Sequence, residues 1–378
     1  MFTASLLGMA ILAPQQGPGL RAIVDQIPVN FGAAVSSDLV NSNVESGKYR
    51  QAIVKNFNLL EPENDLKPPA LWQSPKRIDF TKSDYLINWA KSNNMKVRGH
   101  VLVYANDDGY TIPGWLLAME NQLSQKQALL MLKQYIYTVV GRYKGKISMW
   151  DVINEAIDDS ANGRPYNLRN SFWYRKLGVD FLYYAFLYAH EADPACKLYY
   201  NEYNVEAGGQ KADNMMNLIA HLRQKGAPIN GVGLQFHRSV SDVPSPGDGY
   251  YRMIQRIRDQ GLTFMITELD VSMPVVNLPS NDPNFGAIPL DSNDLTRQAQ
   301  SYAAHIRMAM SFPNCEGIQL WGVTDKHSWI PWFTGGGRGA ALLLDKDYLP
   351  KPAYTSVENI FNSYLPPLSV NQNQVFRR

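Results

Sequence analysis

The chain has only two cysteines, Cys196 and Cys315, in 378 residues. Two thiols outside any CxxC pair cannot make a disulfide framework, and each directly precedes an apolar run, so both read as buried free thiols. Charge is also scarce. Asp, Glu, Lys and Arg make up 19% of the residues, below the ~25% of an average soluble chain. With 36 Lys+Arg against 34 Asp+Glu the net charge is +2, which argues against electrostatically driven nucleic-acid binding. The sequence has no HExxH, no P-loop and no GxGxxG opening a helix. No metal or cofactor is therefore expected. No stretch beyond the N-terminus is long and apolar enough to suggest membrane insertion, and no Asn-x-Ser/Thr sequon occurs.

Against these absences stand 45% hydrophobic residues and an abundance of rings, with 21 Tyr, 14 Phe and 8 Trp. That composition excludes a disordered chain and suits a protein that binds flat, uncharged molecules. The opening MFTASLLGMAILA, followed by Pro14, is too short to span a membrane and has the look of an export-signal core. It lacks the usual positive flank, since no Lys or Arg precedes Arg21. Residues 1–20 are accordingly read as a degenerate or truncated signal segment of a secreted, extracellular protein. Residues 21–366 form one domain, because no Ser/Pro/Gly-rich linker divides them, and 367–378 form a C-terminal tail.

Within the domain one rhythm repeats, a short apolar run followed by a helical pattern. The runs begin at Val29 (VNFGAAV), Phe57 (FNLLEPEN), Lys96 (KVRGHVLVY), Ser148 (SMWDVINE), Lys197 (KLYYNEY), Gly231 (GVGLQFH), Thr263 (TFMITELDV) and Cys315 (CEGIQLWGV). They are continuous rather than alternating, as in parallel strands covered on both faces. An uninterrupted strand–helix series of this length predicts an α/β fold, a (β/α)8 TIM barrel. The loops 242–249 and 277–293 then lie on the face where such barrels carry their sites. Gly335–Gly339 reads as a mobile loop on the same face, with a phosphate cradle as a remote alternative.

In this fold the C-terminal strand ends supply the chemistry. Here nearly every strand delivers a polar or aromatic group: Glu63, Asn64 and Lys67; Arg98, His100 and Tyr104; Asn154 and Glu155; Asn201 to Asn204; Gln235 and His237; Glu268 and Asp270; Trp321 and Trp329. Glu155 and Glu268 end strands four and seven, across the barrel mouth from each other. Such a carboxylate pair is what glycosidic cleavage requires. Asn154 stands where an amide can bind a sugar 2-hydroxyl. Asp270, two residues after Glu268, shares its face of the strand. If His237 lies between them, Asp270 orients the ring and the ring holds Glu268 ionised, favouring Glu268 as nucleophile. Glu155, without an obvious cation, would keep a raised pKa and serve as acid, then base.

These segments resemble glycoside hydrolase family 10, the retaining endo-β-1,4-xylanases. The resemblance rests on NFGAAV at Asn30, EPENDLK at Glu61, VRGHVLV at Val97, WDVINEA at Trp150, LYYNEYN at Leu198, GVGLQFH at Gly231, ITELDV at Ile266, WGVTDKHSW at Trp321 and LLLDKDYLPKPAY at Leu342. They occur in the family's order and run from Phe31 to Ile360. The resemblance implies net retention, with Glu155 as acid/base and Glu268 as nucleophile, supported by His237, Asp270 and Asn154. It implies that Glu63, Asn64 and Lys67 bind sugar on the glycone side. His100, Gln235, Trp321 and Trp329 would surround the scissile bond, and Tyr203 and Asn204 would meet the aglycone. Trp329 falls where the family crowds a C6 hydroxymethyl, favouring xylose. The chain departs from the family at Tyr104-Ala105, where Trp-His is usual, and at Glu202, where Asp is usual.

The expected function is hydrolysis of internal β-1,4 bonds of xylan by a monomer, with xylan or xylo-oligosaccharide as sole partner and neither nucleic acid nor membrane. Tyr104-Ala105 motivates a second reading, a family-10-type glycosidase acting on a small β-glycoside or another β-1,4-glycan. A third, remote reading is a non-catalytic carbohydrate-binding protein, against which both carboxylates stand.

Overall fold

A computed structural model describes residues 17–366. The N-terminal segment read as an export signal, up to residue 16, and the tail 367–378 lie outside the described residues. Eight parallel strands close into a barrel: β1 (Asn30–Val35), β2 (Leu59–Pro62), β3 (Lys96–Tyr104), β4 (Met149–Asn154), β5 (Lys197–Glu202), β6 (Gly231–Leu234), β7 (Thr263–Pro274) and β8 (Cys315–Leu320). Each pairs with the next, as in Gly32↔Leu59, Arg98↔Met149 and Tyr199↔Gly231, and Asn30↔Gly317 closes β8 on β1. The (β/α)8 expectation holds, and each apolar run marks one strand.

An outer layer of helices covers the barrel: α1 (Lys48–Asn56), α2 (Thr81–Ser92), α3 (Gln125–Arg142), α4 (Asp180–Ala192), α5 (Gln210–Gln224), α6 (Gly249–Asp259), α7 (Asn293–Met310) and α8 (Pro352–Ser363). In α3 a capping box between Ser124 and Gln127 satisfies free amides at the start of the helix. The buried face repeats at helical spacing through Ala128, Leu132, Tyr135, Ile136, Val139 and Val140. A fully buried side chain of Leu or Ile size stabilises the fold by about 1.5–3 kcal/mol, so this one stripe outweighs any propensity term. Tyr184 and Tyr188 of α4 stack on each other and Tyr188 meets Tyr137 of α3, so this aromatic cluster is helix packing. Cys196 is buried and Cys315 half-buried, both unpaired.

Inside the barrel, side chains form levels. Leu59, Met149, Tyr199 and Met265, from the lower parts of four strands, make a small apolar cluster. Glu61, Arg98 and Asp151, all fully buried, add a charged layer. Towards the strand ends come Asn154, Asn201, Gln235 and Glu268, also buried. Gly335–Gly339, read from the sequence as a mobile loop, ends in a paired segment. Arg338 and Gly339 form a short strand, β9, antiparallel to the end of β7, and Arg338 Nη2 donates to Ser239 Oγ at 2.9 Å. Its guanidinium is occupied by that contact and by Ser272.

Candidate active site

Backbone register builds the site. His237 and Asp270 are directly paired residues of adjacent parallel segments. His237 Nδ1 donates to Asp270 Oδ2 at 2.9 Å, which leaves Nε2 3.3 Å from Glu268 Oε2. Trp329 Nε1 donates to the same Asp270 oxygen at 2.9 Å. Burial opposes a charge on the ring, but the two carboxylates outweigh it and push His237 up to about 10. Glu268 shows the converse. Burial would raise its carboxyl, yet the His237 hydrogen bond, the nearby imidazoles and Asn201 hold it below the usual carboxylate range. The arrangement inferred from residue spacing is the one observed.

Amides connect the two carboxylates. Asn201 Nδ2 donates to Glu268 Oε1 at 2.7 Å and to Asn154 Oδ1 at 2.9 Å. Its own oxygen accepts from Thr267 Oγ1 at 2.8 Å. Gln235 Nε2 donates to Glu155 Oε1 at 2.9 Å and lies 3.3 Å from Asn154 Oδ1. Gly233 makes room for this chain, since a Cβ there would lie 2.1 Å from Asn201 Oδ1. Glu155 sits one residue past β4 in the left-handed region, at φ 54°, a conformation that costs a non-glycine residue about 1–3 kcal/mol. Its backbone is held there by hydrogen bonds from Glu155 N to Asn201 O at 3.0 Å and from Arg169 Nε to Glu155 O at 2.9 Å. Tyr104 lines the cavity with Glu155, and burial together with that carboxylate's charge pushes the phenol well above its usual range.

A cavity of about 500 Å³ opens over these groups. Of the residues singled out in the sequence, Lys67, His100, Tyr104, Asn154, Glu155, Tyr203, Asn204, Gln235, His237, Glu268, Trp321 and Trp329 line it. Asp270 stands behind His237. Glu63 and Asn64 gather around Lys67. Asn64 accepts from Lys67 Nζ at 2.9 Å, and Glu63 is drawn to the same ammonium while burial raises its carboxyl. These two residues position the lysine. Lys67 Nζ lies 5.8 Å from the Trp321 ring centroid, so cation and indole face the cavity together. On another side Tyr203 is fixed by Arg169 Nη2, which donates to its hydroxyl at 2.6 Å, and by Lys211 Nζ, 3.4 Å from its ring centroid.

Sequence reasoning left several contributors off the list of site residues. Asn201 carries the bridge, Arg169 and Lys211 fix Tyr203, and Phe333 joins the cavity wall. Beneath His100, Arg98 hydrogen-bonds both Glu61 and Asp151, and His100 Nδ1 is 2.8 Å from Asp151 Oδ2. Glu61, His100 and Asp151 are the one metal-ligand-like group among the described residues. The Arg98 guanidinium already lies against both carboxylates, so the donor set does not fit a cation. Charged residues inside otherwise apolar strand runs were the available signal for this layer.

A parallel barrel that gathers paired carboxylates, amides and ring faces in one cleft defines a carbohydrate-cleaving (β/α)8 enzyme. Residues 19–360 match glycosyl hydrolase family 10. Endo-1,4-beta-xylanase B of Thermotoga neapolitana is 32% identical over 360 residues, covering 95% of this chain and 96% of the relative. A beta-1,4-xylanase of Dictyoglomus thermophilum is 36% identical over 329 residues, covering 86% and 87%. The crystal structure of xylanase 10B from Thermotoga petrophila, in complex with xylobiose, superposes with a TM-score of 0.82 at 32% identity, covering 94% of this chain and 100% of that one. The chain belongs to glycosyl hydrolase family 10. Its reaction is hydrolysis of internal β-1,4 xylosidic bonds with retention at the anomeric carbon.

Proposed function

We propose that Glu268 and Glu155 divide this hydrolysis between them as nucleophile and acid/base. The observation that carries the assignment is the asymmetry of their partners. Glu268 faces a cationic imidazole and an amide donor, which favour the ionised form needed for attack. Glu155 accepts from the neutral amides of Gln235 and Asn154, which suits a proton carrier. In the first step a Glu268 oxygen bonds to the anomeric carbon, the glycosidic C–O bond breaks, and the Glu155 proton moves to the departing oxygen. In the second, Glu155 takes a proton from water, the hydroxyl adds to the same carbon, and Glu268 leaves ionised. Asn154 has an amide N–H left to meet the sugar 2-hydroxyl.

Xylo-oligosaccharide fills the cavity in this reading, with Trp321 and Trp329 against pyranose faces and Lys67 with His100 on hydroxyls. A polymeric substrate and the apolar opening segment support action outside the cell. The decisive experiment is to assay Glu268→Ala and Glu155→Ala with and without azide. Glu268→Ala is expected to yield the α-glycosyl azide, and Glu155→Ala the β-glycosyl azide from an activated aryl xylobioside. Azide products of the same configuration from both variants would sink the assignment.

A further inference from the structure

Two loops that the catalytic geometry leaves unexplained meet beside the cavity. One, residues 277–293, follows β7. The other follows β8 and carries the helical turn Ile330–Phe333. Each brings apolar side chains to the surface: Trp332 is 67% and Phe333 75% exposed, and Leu290 is 65% exposed. Exposed aromatic rings grouped beside a cleft mark an interaction site.

These rings are fixed in place. Gly286, at φ 71°, packs so closely under the second loop that a Cβ there would lie 2.1 Å from Pro331 Cγ. Its carbonyl accepts from Ala340 N at 2.8 Å, and Gly336 N donates to Pro331 O at 2.8 Å. Phe285 then meets Trp332 edge-on, with centroids 5.1 Å apart, while Phe333 lies 4.8 Å from Trp329. Phe333 and Trp329 both line the cavity, so the exposed rings continue a surface that already includes the catalytic carboxylates. Loops anchored in this way present their rings without losing further conformational freedom when a ligand arrives.

We propose that Trp332 and Phe333 form a sugar-stacking ledge that takes a xylose ring of a xylan chain longer than the cavity itself holds. The proposal rests on the xylan reading of the site and adds to it a distal subsite on the two stapled loops. Neutral pyranose rings present C–H faces that aromatic rings bind, and continuity with the cavity makes the substrate chain itself the occupant.

The test compares Trp332→Ala and the Trp332→Ala/Phe333→Ala double variant with wild type on an aryl xylobioside, on xylotriose to xylohexaose, and on soluble xylan. The ledge predicts that the ratio of kcat/KM on xylohexaose to that on the aryl xylobioside falls about tenfold in the double variant and in the same direction in Trp332→Ala. The loss should fall on KM rather than kcat, with the thermal midpoint within a degree or two of wild type. An equal loss on short and long substrates, or no loss on either, would overturn it. So would a change in oligomeric mass by light scattering with the chain-length ratio intact, since the ledge would then face a second copy. Wild-type cleavage of the aryl xylobioside without cleavage of any xylan would instead remove the reading on which the ledge rests.

Discussion

Asp270 grips His237 through Nδ1 at 2.9 Å, on the side of the ring away from Glu268. The imidazole is thereby turned so that its other nitrogen meets the nucleophile at 3.3 Å. Replacing the ring by an amide keeps a donor but removes the charge. His237→Asn is expected to lower kcat/KM by roughly 10²-fold, the scale of removing one preorganised electrostatic partner. With the cation gone, the force holding Glu268 below the usual carboxylate range is weakened. The acid limb of the kcat/KM profile should move to higher pH. An unmoved acid limb would show that the ring does not set the state of Glu268.

The same ring ties stability to pH. A folded-state value of about 10 lies above the ~6.5 of an unfolded histidine, so the folded chain binds the extra proton between them. This contribution is fully present below ~6.5 and is lost as pH rises through about 10. The difference in urea midpoint between wild type and His237→Asn should therefore shrink from pH 7 to pH 10. A difference that stays constant over this window would contradict the charged ring.

Tyr104 stands where the family usually has tryptophan, and it shares the cavity wall with Glu155, whose charge helps to raise the phenol. Tyr104→Phe leaves the ring and removes the hydroxyl beside that carboxylate. Hydrolysis of xylo-oligosaccharides, whose leaving groups need a proton, should slow by roughly 10-fold, the scale of one hydrogen bond to a charged group. Xylosides with a dinitrophenol leaving group, which departs unprotonated, should slow much less in the first step. Equal slowing on both would assign Tyr104 to sugar binding instead.

Arg98 compensates Glu61 and Asp151 within the barrel, all three side chains being fully buried. Arg98→Met would leave two carboxylates facing each other without a cation. A loss of about 3–5 kcal/mol is expected, as when one member of a buried ion network is removed. Denaturant unfolding at neutral pH measures it, and the loss should be smaller at pH 5, where the unpaired carboxylates can protonate. A loss below 1 kcal/mol at both pH values would show the network to be dispensable.

Much of this was legible in the chain because a parallel barrel writes itself as unbroken apolar runs whose polar ends converge. Glu155 and Glu268 stood at such ends, and the spacing of His237, Glu268 and Asp270 already implied their contact. The charged layer was harder. A strand buried on both faces gives no alternation to say that Arg98 points inward while its neighbours point outward. Asn201 was visible as a strand-end amide, but its partners come from β4 and β7, a relation fixed by register. Glu63 and Asn64 were read as sugar contacts, and the turn after β2 also sets them around Lys67. The glycine run ending at Gly339 looked mobile because glycine permits motion; its lack of side chains also lets two loops approach closely.

The link between the carboxylates has a consequence for where protons can go. From Glu155 through Gln235, Asn154 and Asn201 to Glu268, every intermediate is a carboxamide. A carboxamide donates and accepts hydrogen bonds yet neither ionises nor hands on its proton near neutral pH. A hydroxyl or imidazole in the same position would act as a proton wire between an acid that must stay loaded and a nucleophile that must stay bare. The bridge is therefore an insulator: it aligns the two groups while keeping the charge on one from discharging the other.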